Sequence, residues 1–88
     1  MNVDVWFHGV FREIATRRRD VLLPQDANLS NLIEQLAQEY GSIFSDQIAR
    51  KDDYFIMLNG NYCTPSLNED RPLNDKDVVA FVPIIVGG

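Results

Sequence analysis

The chain closes on Val78-Val79-Ala80-Phe81-Val82-Pro83, followed by Ile84-Ile85-Val86-Gly87-Gly88. The apolar, largely β-branched run from Val78 to Pro83 is built to pair in a sheet and reads as the last strand. Glycine has no Cβ and reaches backbone conformations closed to other residues, so Gly87-Gly88 can lie flat and thread a narrow channel. With Gly88 as the mature end, the functional group is the terminal carboxylate itself. It projects from a rigid body on a short tether, residues 84–88, whose glycine-rich end could equally arise by simple fraying. The weight of that ending therefore comes from what lies upstream.

Upstream, Val3, Val5 and Phe7 alternate with Asp4, Trp6 and His8, the period of a half-buried strand, which predicts a first strand over about residues 2 to 11. Arg17-Arg18-Arg19-Asp20 reads as turn material. Val21-Leu22-Leu23 before Pro24 reads as a hairpin partner at a sheet edge, where a residue without an amide is tolerated. Asn28 is a candidate helix cap. Leu29, Leu32, Ile33, Leu36 and Tyr40 fall on one helical stripe, and Gly41 supplies the stop. Ser42 to Ile48 predicts a short helical turn, and Lys51-Asp52-Asp53 a polar loop. Phe55-Ile56-Met57-Leu58 runs into Asn59-Gly60, the preferred dipeptide of a two-residue hairpin, with Tyr62 and Cys63 beyond. Residues 64–77 read as irregular. This order is α+β, with one main amphipathic helix to cover one face of a mixed sheet, and it is the order of a β-grasp domain.

Length and composition agree with one such unit. Eighty-eight residues, 45% hydrophobic and 24% charged, make a single globular domain over 1–88 and leave no room for a second. The longest apolar stretch, Val78 to Val86, is far short of the ~20 residues that span a bilayer. The start, Met1-Asn2-Val3-Asp4, lacks the basic and apolar blocks of a secretory signal. The single cysteine, Cys63, cannot form an internal disulfide, so a reducing cytoplasm is the expected location. A net charge of −5 argues against a nucleic-acid partner and for proteins with basic surfaces.

The chain resembles the ubiquitin-like sulfur carriers, the family that includes the small subunit of molybdopterin synthase and the thiamin-thiazole carrier. The resemblance is carried by Val3-Asp4-Val5-Trp6-Phe7 leading into Phe11-Arg12-Glu13, and by Asn28-Leu29 with Leu32. It continues through Leu58-Asn59-Gly60, Leu73 to Asp75, Asp77, Val78 to Pro83 and the terminal Gly87-Gly88. Molybdopterin-type carriers usually bring two prolines before the tail, where this chain has Pro83 and then Ile84-Ile85-Val86, and the stretch from Gly41 to Tyr54 is longer than in the shortest carriers. The resemblance implies chemistry performed on this protein rather than by it. A ubiquitin-activating-type enzyme, using ATP and magnesium, would adenylate the Gly88 carboxylate, which is then exchanged for a thiocarboxylate. The sulfur would pass to a cofactor precursor on a synthase large subunit, most naturally in molybdopterin or tungstopterin synthesis. The alternatives are a carrier for thiazole or cysteine synthesis, or a protein modifier joined to lysines through Gly88. The carrier itself would bind no cofactor. A third class, a bare interaction domain with an inert tail, needs neither glycine.

Alternation also sorts the sheet's two faces. If Val3, Val5, Phe7, Ile56, Leu58, Val79 and Phe81 point at the helix, then Trp6, His8, Phe55, Met57, Ala80 and Val82 lie opposite. Left exposed, Trp6, Phe55, Met57 and Val82 form a partner-docking surface, unless 42–54 or 64–77 folds across it. The resemblance implies the same face. The remaining candidates are weak. His8 is the only histidine, so a histidine-rich metal site is excluded, and as a strand residue it reads as an ordinary surface side chain; Cys63 reads as a small buried apolar residue before it reads as a persulfide carrier. Asp52-Asp53 and Asp75 with Asp77 lack metal-ligand spacing and read as solvated loops; no metal site is expected. Arg17 to Arg19 is too short a run for a nucleic-acid patch.

Overall fold

The computed structural model describes residues 1–84. In chain order it contains β1 (Asn2–Phe7), α1 (Val10–Ile14), β2 (Arg18–Leu22), α2 (Leu29–Tyr40), α3 (Ser42–Ala49), β3 (Tyr54–Leu58), β4 (Asn61–Cys63), a 3-10 turn (Pro65–Leu67) and β5 (Val78–Pro83). The five strands form one mixed sheet in the order β2-β1-β5-β3-β4. β5 runs parallel to β1 and antiparallel to β3, so the last strand of the chain lies at the sheet's centre. This is the β-grasp arrangement.

Period two places Val3, Val5, Phe7, Ile56, Leu58, Val79 and Phe81 on one face, all buried. Leu29, Leu32 and Leu36 of α2, Phe44 of α3 and Phe11 of α1 join them in a single core. Its centre is aromatic. Phe81 stacks on Phe7 at 5.8 Å between centroids, and Phe11 and Phe44 approach it at 5.7 and 6.1 Å. Asn28 caps α2 as its sequence suggests, accepting from the Asn31 amide at 2.9 Å while the Asn31 side chain accepts from the Asn28 amide at 2.9 Å. The Asn59-Gly60 hairpin closes with both residues at positive φ, +51° and +82°, as a mirror-image two-residue turn requires.

Four sequence expectations are corrected. The first strand ends at Phe7, not near residue 11, because Gly9 turns the chain and Phe11 enters the core from a short helix. Arg18, Arg19 and Asp20 are strand rather than turn; β2 is an edge strand, so Arg18 and Asp20 stay solvated on the outer face, Arg19 reaches Glu39 and Tyr40 at the rim of α2, and Val21 alone goes fully inward. Ser42 to Ile48 is not a single turn but part of an eight-residue helix. Asp75 and Asp77 do not merely solvate a loop. Asp75 accepts the Asn2 amide at 2.7 Å, and the buried Asp77 accepts the Asn59 side-chain amide at 2.9 Å and the Asn74 amide at 2.8 Å. Asn59 in turn accepts from the Val78 amide at 2.8 Å, so the start of β5 is pinned to the hairpin.

Candidate docking face and tail exit

On the face away from the helices, the strand registers assemble one continuous row. Arg18 pairs with Trp6, Trp6 with Ala80, Ala80 with Met57, and Met57 with Tyr62, crossing all five strands. Beside it, Val82 pairs with Phe55. The helices bury their apolar residues in the core on the other side, so neither 42–54 nor 64–77 supplies a second core here. Trp6, Phe55, Met57, Ala80 and Val82 are half-buried rather than exposed, because each leans on its neighbours; His8, Val78 and Tyr62 are exposed.

One end of the row carries charge and the other is aromatic. The Arg18 guanidinium lies over the Trp6 ring, 4.8 Å from its centroid, and donates to Asp4 through Nε at 2.7 Å and Nη2 at 3.0 Å. The Trp6 indole N–H donates to the same carboxylate at 3.2 Å. The hydrogen bond from Arg18, aided by the one from Trp6 and opposed by partial burial, holds the Asp4 carboxyl below the usual range. Trp6 is thereby fixed in place before any partner arrives. At the far end the Phe55 and Tyr62 rings pack 5.2 Å apart. Sequence reading missed Asp4, Arg18 and Tyr62 as members of this face. For Tyr62 the signal was present, since a two-residue loop at Asn59-Gly60 sets Met57 opposite Tyr62.

The tail leaves from the same end of the sheet as Val82. Phe81 accepts the His8 amide at 3.1 Å, Pro83 pairs with Tyr54, and the Ile84 amide donates to the Asp53 carbonyl at 2.8 Å. Residue 84, taken from sequence as the start of the tether, is thus still tied to the body. Ile85, Val86, Gly87 and Gly88 lie outside the described residues. The Tyr54 hydroxyl donates to the Ile48 carbonyl at 2.9 Å, and burial, with a contribution from the Glu69 charge, pushes its pKa up to about 12.

His8 stands exposed just beyond the end of β1. Cys63 is buried, which suits a packed thiol, and its sulfur accepts from Arg71 Nη1 at 3.1 Å. Among the described residues no group of three His, Cys, Asp or Glu side chains is placed to hold a metal ion, and no helix is long and apolar enough to cross a membrane. A groove between α2 and the chain after β2, lined by Leu23, Pro24, Ala27 and Glu34, lies at the Met1 end of the sheet, opposite to the tail exit.

The ThiS family model matches residues 5–88. Among solved structures, a Pyrococcus furiosus protein provisionally called molybdopterin converting factor, subunit 1, is 25% identical, with TM-score 0.76 over 97% of this chain and 99% of that one. A chain in the complex of subunits 1 and 2 of the molybdopterin-converting factor from Helicobacter pylori is 26% identical, with TM-score 0.63 over the whole of both chains. Small archaeal modifier protein 1 from Methanosarcina acetivorans is 21% identical, with TM-score 0.78 over 99% and 96%, and shares the fold. No match to a curated protein sequence was found. Matched from its first strand through its terminal diglycine, the chain belongs to the ThiS family, whose members are small ubiquitin-like carriers and not catalysts.

Proposed function

We propose that this protein is a sulfur carrier for molybdopterin or tungstopterin synthesis, with Gly88 as its reactive end. The observation that carries the reading is that the family match runs through Gly87-Gly88 while the two relatives at 25% and 26% identity are both named for the molybdopterin converting factor. The physical need is plain. A carboxylate does not accept a nucleophile until one oxygen becomes a good leaving group; attack of the Gly88 carboxylate on ATP, with magnesium held by the activating enzyme, releases pyrophosphate and leaves an acyl-adenylate. A sulfide-equivalent donor then displaces AMP, and the resulting thiocarboxylate sulfur is a nucleophile toward a cofactor precursor.

The chain's own contribution is presentation. Trp6, Phe55, Met57 and Val82 form the surface on which the adenylating enzyme and then a synthase large subunit dock, and the tail exits beside Val82, so docking and delivery occur at one end of the sheet. Large half-buried aromatic and thioether side chains are the residue types that concentrate binding energy at interfaces.

Intact mass of protein recovered from its native cell tests this reading. Free monomer in two forms is expected, the heavier exceeding the lighter by the difference between sulfur and oxygen. Deleting Gly88 should abolish ATP-pyrophosphate exchange with the activating enzyme while leaving the fold intact. Undiminished exchange by the truncated chain overturns the proposal, and a dominant ladder of covalent conjugates that vanishes with Gly88 replaces it with a protein-modifier role.

A further inference from the structure

Gly9 lies between β1 and α1 at φ +54° and ψ −128°, a region that L side chains rarely occupy. A Cβ placed there would sit 2.7 Å from Cγ of Pro83, 3.4 Å from its Cδ and 3.7 Å from its Cβ. The Pro83 ring therefore rests on the bare Cα of Gly9, across the gap between the first turn of the chain and the last residue of β5. The Gly9 carbonyl accepts the amides of Arg12 at 3.1 Å and Glu13 at 3.3 Å, so the glycine is held by α1, which is anchored in turn by the buried Phe11. Proline brings no amide, so at its final residue β5 lacks a donor that any other residue would supply. The ring's seat on Gly9 stands in that place. One residue later the Ile84 amide resumes bonding, to Asp53.

Resting on the sulfur-carrier reading, we infer that Gly9 is a positioning residue for the tail: by seating Pro83 it holds the end of β5 in the sheet and fixes the point, at Ile84, from which the tail starts. An enzyme that grips the outer face then finds Ile84, the base of the tail, at a fixed place, and the terminal carboxylate needs less ordering when it enters the adenylation site. Gly9 acts through Pro83 and touches no reacting atom.

Steric fit between two residues is read by a double-mutant cycle. Gly9→Ala drives a methyl into the ring. Gly9→Asn places a Cβ at the same point, and since ψ −128° lies outside the left-handed helical region that asparagine tolerates, both substitutions carry a similar backbone strain that is common to the two Pro83 backgrounds and cancels in the cycle. Pro83→Ala removes Cγ and Cδ and leaves only the ordinary 3.7 Å contact. Three quantities are read for each single and double variant: kcat of ATP-pyrophosphate exchange with the activating enzyme of the same cell, calorimetric affinity for that enzyme, and hydrogen exchange of the Ile84 amide. Either substitution at Gly9 is expected to lower kcat at least tenfold and to speed Ile84 exchange at least tenfold, with affinity changed less than twofold. In the Pro83→Ala background the same substitution should cost at most a third as much.

Equal losses in both backgrounds assign the defect to backbone strain and overturn the inference, as does an unchanged Ile84 amide. A fall in affinity that matches the fall in kcat also overturns it, because the outer face is then disturbed. If the wild-type chain supports no exchange at all, the sulfur-carrier reading fails, and the Ile84 amide cycle still decides whether Gly9 positions the tail.

Discussion

Asp77 shows what a single carboxylate can hold. Buried where β5 begins, it takes the Asn59 side-chain amide on one oxygen and the Asn74 backbone amide on the other, joining the hairpin, the preceding turn and the central strand. Asp77→Ala strands both donors and is expected to cost about 2 kcal/mol in a denaturant titration, the scale of buried polar groups left unpaired. Asp77→Asn should recover only part of that, because its amide turns a donor toward one of the two donors. Asp4 is the surface counterpart. Its folded pKa is depressed by Arg18, so whatever the pair contributes is present above the ordinary carboxylate pKa and is lost as pH falls through the lower, folded value. Arg18→Leu is expected to move the Asp4 carboxyl titration, followed by NMR, upward toward the ordinary range. If it stays put, Trp6 and the backbone hold it instead. Neither role was legible from residue spacing, which cannot show that Asp4, Trp6 and Arg18 meet across two strands.

At the level of elements, legibility followed locality. Helix α2 was readable because its cap, stripe and stop lie within fourteen consecutive positions, Asn28 to Gly41, and the hairpin because Asn-Gly fixes its own backbone. β2 was not, since Arg18-Arg19-Asp20 is strand only by virtue of pairing with β1 at an edge where charge costs little. Nor was α1: Phe7 and Phe11 both enter the core four residues apart, a helical interval that the preceding alternation masks. The junction of α3 with β3 gives an element-scale prediction. Tyr54 donates to the Ile48 carbonyl, and burial pushes its pKa from the ordinary 10 up to about 12. A raised folded pKa means that the contribution is complete below pH 10 and is lost as pH climbs through 12. Tyr54→Phe should be less stable at neutral pH by roughly 1 kcal/mol, the net worth of one hydrogen bond. The wild-type advantage should shrink between pH 10 and 12; a constant gap in melts across that range would show that folding leaves the hydroxyl's pKa at its ordinary value.

Across the whole molecule, one sheet presents two unlike faces. Its inner face carries stability, with Phe81 fully buried among Phe7, Phe11 and Phe44, while its outer face carries Trp6, Phe55, Met57 and Val82, on which no helix packs among the described residues. Fold and face were readable from sequence because alternation is a property of every strand. The degree of exposure was not, since neighbouring large side chains shelter one another and leave these residues half-buried. That shelter changes the choice of probe. A short charge at Met57 would lose contacts with Ala80 and Tyr62, whereas arginine keeps an aliphatic stem along the sheet and sends its charge to water. Met57→Arg, and likewise Val82→Arg, is expected to shift the melting temperature little, yet to weaken binding to the activating enzyme by about 2 kcal/mol or more, roughly thirtyfold in Kd. Phe81→Ala should do the reverse, costing ~3–5 kcal/mol of stability through the cavity it leaves. Calorimetric titration alongside thermal melts separates the two. Should Met57→Arg collapse the melt while the surviving folded protein binds its enzyme undiminished, the outer face serves the fold and the docking surface lies elsewhere.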